Sequence, residues 1–200
     1  KCLDICVLRR CCQDGMHVYA GSIDEADREK GRHPMNTLPA DRLLGSVLQP
    51  NFGGCCIPKL LLHDTSGEST PFGKVEGPCC FGGWSEMCFS FKFYASLFES
   101  KGKEGDIGLI KKQKPQSAAG AFTELMSDSD NYRIEFNPSV NLTASQKATV
   151  LTSQVLIDYM LFDGNTEKCS SDDSGIYCYL WYCSLIGMLV PCVVYIPRSG

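Results

Sequence analysis

Thirteen cysteines stand among 200 residues, and their grouping decides what chemistry each can do. Cys2, Cys6, Cys11 and Cys12 crowd the start of the chain, the last two directly after Arg9 and Arg10. Thiols clustered beside basic residues suit S-acylation at a membrane surface, where two or more acyl chains anchor stably and one does not. The remaining nine are Cys55, Cys56, Cys79, Cys80, Cys88, Cys169, Cys178, Cys183 and Cys192. No C-x-x-C occurs, so the usual zinc spacing and the thioredoxin-type redox motif are both missing. Two readings stay open for these nine. They are small buried hydrophobes, or they form a disulfide framework, which the odd count and the long apolar segments make the lesser expectation.

Other reactive constellations are not found. His17, His33 and His63 lie in unrelated contexts, and there is no G-x-S-x-G, P-loop or H-E-x-x-H. The chain is therefore not expected to be an enzyme. Lys111, Lys112 and Lys114 form a short basic run before Pro115. A solvated strand end is the first reading; contact with anionic lipid, about 1 kcal/mol per Lys, is the second. Asn141-Leu142-Thr143 is a formal glycosylation sequon. With 19 basic against 23 acidic residues the net charge is −4, and direct nucleic-acid binding is not expected of so acidic a chain. The chain opens on Lys1 rather than Met, which reads as a fragment or a processed product.

The elements that must position these groups are mostly strands. Hydrophobic residues make up 44% and charged residues 21%, as in a globular domain. Residues 22–42 are polar with two prolines and read as a loop between strand-like runs at 15–20 and 43–49. Another apolar run covers 57–64. The clearest alternation is 87–94, with Met87, Phe89, Phe91 and Phe93 on one face. Strands are also predicted at 105–112 and at 131–137, where Tyr132, Ile134 and Phe136 alternate with Arg133 and Glu135. Short strands separated by Gly-rich turns predict an antiparallel sheet or barrel.

The period then changes. Thr143-Ala-Ser-Gln146 has the form of a capping box, and Gly164 sits where a C-cap glycine belongs. One helix is predicted over 144–162, about 28 Å long. It is apolar nearly all round, which predicts burial. Asp158 adds roughly 2.5–3.5 kcal/mol against insertion in a bilayer, so a sheet-built core is the expected surrounding. Residues 165–175 read as a polar linker. Residues 176–196 carry no charge, match the length of a bilayer crossing and have tyrosines and tryptophan at the ends. That predicts a transmembrane segment, with a strand pair kinked at Pro191 as an alternative.

The order of these features resembles the phospholipid scramblase family. Asp128-Ser-Asp130-Asn131-Tyr132 leads into Ile134-Glu135-Phe136, and the helix ends Val155-Leu-Ile-Asp158-Tyr-Met-Leu-Phe162. Upstream, Leu44-Gly-Ser-Val-Leu-Gln49, Cys56-Ile-Pro-Lys59 and Gly77-Pro-Cys79 resemble further family elements, and the early cysteines resemble its acylated cluster. The resemblance covers 1–164. It implies a mainly β, α+β fold, an antiparallel tubby-like barrel around a buried C-terminal apolar helix. The barrel is expected to be incomplete here, because family members carry a first half before the cysteine cluster. Domain organisation is read as 1–164 for the scramblase-like part, 165–175 for the linker and 176–200 for the apolar tail.

The resemblance also implies function. The expected activity is calcium-responsive, ATP-independent movement of phospholipids between leaflets; the alternative is a lipid-anchored tubby-like adaptor or binding module without transport. The family's calcium site maps to Asp128 and Asp130, with Glu135 the only further carboxylate nearby; its closing Asp corresponds to Ser139. The basic run matches in position a nuclear import segment of some members. Asp158, Thr152 and Ser153 are the polar groups on the helix placed to help a headgroup across. Implied partners are membrane phospholipids. The implied location is the cytoplasmic face of the plasma membrane, by acylation of Cys2, Cys6, Cys11 and Cys12 or by the C-terminal span, with a nuclear pool.

Overall fold

A computed structural model describes residues 14–21, 42–65, 70–100, 106–115, 117, 131–163 and 168–198. Cys2, Cys6, Cys11, Cys12, Asp128, Asp130 and Gly164 lie outside the described residues.

Seven strands form one antiparallel sheet: β1 (Gly15–Tyr19), β2 (Leu43–Leu48), β3 (Lys59–Asp64), β4 (Gly73–Glu76), β6 (Phe91–Leu97), β7 (Gly108–Lys112) and β8 (Tyr132–Phe136). They neighbour one another in that order, and the sheet curls into a half barrel. Its register follows the apolar pattern. Val47 faces Leu62, Leu60 faces Val75, Val75 faces Ala95, Phe93 faces Ile110 and Ile110 faces Ile134. Cross-strand apolar pairs of this kind fix register, because a one-residue slip would turn the whole row outward.

The expected strand at 87–94 starts later than its alternation suggests. Ser85–Cys88 is a helical turn, α1, so Met87 is not in a strand, and Phe89 is 63% exposed. Phe91 and Phe93 keep the inward phase, at 8% and 1% exposure. The turn starts at the paired glycines Gly82 and Gly83, both at positive φ, which reverse the chain after β5 (Cys80–Phe81).

The helix α2 (Ala144–Ile157) begins as its sequence dictates. Thr143 Oγ1 accepts from the Gln146 N–H, and Gln146 Oε1 accepts from the Thr143 N–H. The helix continues as a π-turn over Asp158–Phe162. It lies on β1, β2 and β3. Val150, Leu156, Ile157, Leu161 and Phe162 complete the core with the inward row of the sheet. Close approach requires Gly45: a Cβ there would collide with Thr149 Oγ1 and with the His63 carbonyl.

Burial of the helix is one-sided, against the expectation of burial all round. Leu151, Val155 and Tyr159, at i, i+4 and i+8, are 48%, 50% and 63% exposed. The half barrel covers one face of α2 and leaves this stripe open.

Residues 176–196 do not form a single helix. β10 (Gly175–Leu185) and β11 (Met188–Pro197) make an antiparallel hairpin. Its turn is Ile186–Gly187, both at positive φ, and not Pro191. Such a turn matches the right-handed twist of the strands. Among the described residues no helix is long and apolar enough to cross a membrane. The expected linker also contributes a strand, β9 (Cys169–Ser171), which pairs with the start of β10. β5 pairs with Tyr182 and Cys183 further along, giving a second sheet in the order β11-β10-β5.

Candidate functional site

The site suggested by the sequence centres on α2 and the strand that leads into it. On the helix, the polar side chains singled out by the sequence have partners. Thr149 donates to the Ser145 carbonyl, Thr152 to that of Ala148 and Ser153 to that of Val150. Asp158 Oδ1 accepts from the Tyr132 hydroxyl at 2.9 Å. This bond joins the π-turn to β8, the last strand of the large sheet. Thr152, Ser153 and Asp158 are thus internally bonded, as buried polar groups generally are.

Glu135 is exposed on β8. Its Oε1 lies 2.8 Å from Arg133 Nε. Ser139 donates its backbone N–H to Asn137 Oδ1 in a tight turn after the strand. No group of three or more potential metal ligands occurs among the described residues. A calcium ion needs several oxygen ligands; Glu135 fits that need only by giving up Arg133.

The basic run separates on folding. Lys114 is exposed and Lys111 half-buried, but Lys112 is 2% exposed. It is not part of a solvated strand end, and it faces no lipid surface. Its Nζ lies 2.8 Å from Glu86 Oε2 and 3.8 Å from the centroid of the Phe162 ring. Phe162 is packed by Phe81, Phe91, Phe93 and Tyr132. A cation on an aromatic face in a dry site gains about 2 kcal/mol or more. Sequence reading missed this ion pair, although the signal is present: Gly108, Ile110 and Lys112 share one parity, and Ile110 points inward.

Cysteines are the second group that folding rearranges. Cys80 and Cys183 form a disulfide between β5 and β10, with Cα atoms 4.1 Å apart and a sequence separation of 103. For these two the framework reading holds. Cys55, Cys56, Cys79 and Cys88 are free and exposed rather than buried. Its hydrogen bond with Cys55, and the Cys55 charge, push the Cys56 thiol pKa up.

A small apolar cleft opens beside the helix end, lined by Pro58, Leu60, Val75, Phe93, Ile157 and Leu161. Lys59 at its edge pairs with Glu76 at 2.7 Å.

A curled antiparallel sheet packed on one apolar helix that follows an I-x-F strand defines an incomplete barrel wrapped on a helix. The scramblase family model matches residues 29–164, and the chain belongs to that family. No solved structure matches the chain. The hairpin and β9 lie beyond the matched region, so the Cys80–Cys183 disulfide fastens them to the family domain.

Proposed function

We propose that this chain acts in phospholipid scrambling, the ATP-independent, calcium-responsive exchange of phospholipids between leaflets. Its membership of the scramblase family supports this reading. The observation that carries it further is the open apolar stripe Leu151, Val155 and Tyr159 on α2. An apolar patch presented on one face is suited to meet lipid chains. In this reading acyl chains on Cys2, Cys6, Cys11 and Cys12 hold the domain at the cytoplasmic face of the membrane. Asp128 and Asp130 supply the carboxylates for a weakly bound calcium ion, with Glu135 as a third ligand once Arg133 is displaced.

Reconstitution tests the activity. The chain is inserted into vesicles carrying a fluorescent phospholipid, and an impermeant reductant bleaches the outer leaflet. Scrambling extends the bleached fraction into label that began on the inner leaflet. Bleaching that stops at the outer leaflet, with the protein folded and membrane-bound, supports a lipid-anchored adaptor without transport.

A further inference from the structure

β10 carries two cysteines that face cysteines on neighbouring strands. One, Cys183, is bonded to Cys80. The other, Cys178, is the register partner of Cys169 on β9. Their Sγ atoms lie 2.7 Å apart, closer than two unbonded sulfurs rest. The Tyr179 N–H donates to the Lys168 carbonyl one step away. The cysteine pair therefore occupies a non-hydrogen-bonded position, where antiparallel strands bring Cα atoms closest, about 4.5 Å. Ser184 donates to the Cys79 carbonyl one step from the Cys80–Cys183 pair. The two pairs therefore hold equivalent positions on the same strand. This spacing falls in the range a disulfide spans without moving the backbone.

One further group faces the sulfurs. The Trp84 indole N–H donates to Cys169 Sγ at 3.4 Å. Cys178 has its thiol pKa pushed up, first by the hydrogen bond with Cys169. Cys169 is exposed and Cys178 half-exposed, so a small oxidant has access.

We propose that Cys169 and Cys178 are a redox modification site, a dithiol that low-molecular-weight disulfides convert into a cross-strand disulfide fastening β9 to β10. The Cys169 thiolate attacks one sulfur of the small disulfide. A Cys169–S bond forms, the S–S bond breaks, and one small thiolate leaves. Cys178 gives up its proton to solvent and attacks Cys169 Sγ, expelling the second small thiol. One disulfide is reduced to two thiols while the two cysteines lose two electrons. The first attack belongs to Cys169 because it is the more exposed of the two thiols.

The test uses the full chain in glutathione and glutathione disulfide buffers of graded ratio. Free thiols are trapped by acid and alkylation. Cleavage at Asp172–Asp173 and at the tyrosines then separates the two cysteines for mass spectrometry. The expected product is a linked pair of peptides holding Cys169 and Cys178, rising with the oxidised fraction and reversed by reductant. Trp84 emission, read in a Trp181→Phe background, falls in step, because a disulfide beside the indole quenches it. The Cys169→Ser variant should stop at a glutathione adduct on Cys178, formed more slowly. The wild-type peptide map needs no variant to fold. Separate, stable glutathione adducts on Cys169 and Cys178, or full alkylation of both at ratios that keep Cys80–Cys183 closed, would overturn the proposal.

Discussion

Lys112 Nζ sits 2.8 Å from Glu86 Oε2 with both side chains almost wholly buried, at 2% and 4% exposure. The pair joins the end of β7 to the turn α1, and Phe162 lies over the ammonium. It thereby links the barrel wall, the chain reversal after β5 and the end of the π-turn. Removing one partner leaves a buried charge without its counter-ion. Glu86→Gln or Lys112→Met should each cost about 3–5 kcal/mol in urea unfolding. The double change Glu86→Leu with Lys112→Met should recover most of that loss. A near-zero cost for both single variants would show that water reaches the pair.

Helix docking depends on Gly45. A methyl group there meets Thr149 Oγ1 and the His63 carbonyl. Gly45→Ala should destabilise the chain by about 1–3 kcal/mol, the usual cost of overpacking. Adding Thr149→Ala removes one obstacle and leaves the carbonyl, so it should restore only part of the stability. Thermal melts of the three variants check the order.

The Cys80–Cys183 disulfide holds the hairpin to the domain. In Cys183→Ser, or with reductant, stability should fall by roughly 2–4 kcal/mol. Proteolysis should then cut first within 168–198, while the core strands of the large sheet persist. An unchanged digestion pattern would mean that strand pairing alone holds the hairpin.

His63 on β3 is pushed below its ordinary 6.5 by burial, with Asp64 opposing in part. The unfolded chain therefore binds the proton more tightly than the folded one. Stability is full above about pH 6.5 and declines as pH falls from there through the lower folded-state value. His63→Gln should flatten that part of the stability–pH curve, measured by denaturant midpoints between pH 5 and 8.

Much of the large sheet was legible because its signals are local. The capping box at Thr143 and Gln146, and the alternation of Tyr132, Ile134 and Phe136, read directly into structure. Phases that depend on a turn did not. Phe89 continues the alternation of Phe91 in sequence, but α1 rotates it outward. The length of the uncharged tail suggests a membrane crossing, although Val193, Val194 and Ile196 are β-branched and Ile186-Gly187 is a hairpin turn. Lys112 was grouped with its charged neighbours, whereas strand parity groups it with Ile110. Pairing of Cys80 with Cys183 spans 103 residues and carries no local signal. At the candidate site, the polar helix residues are visible in the sequence, but their bonds to the helix backbone and to Tyr132 follow from the fold alone.

Transbilayer exchange in reconstituted vesicles, with and without calcium, tests the central claim most directly. Three chains are compared: the wild type, Asp128→Ala/Asp130→Ala, and Leu151→Ser/Val155→Ser, which makes the open stripe of α2 polar. The account predicts calcium-dependent exchange in the wild type. It predicts loss of the calcium response in the aspartate variant and loss of exchange in the stripe variant, with all three folded and bound. Wild-type protein that binds vesicles yet exchanges no lipid at any calcium concentration would contradict it.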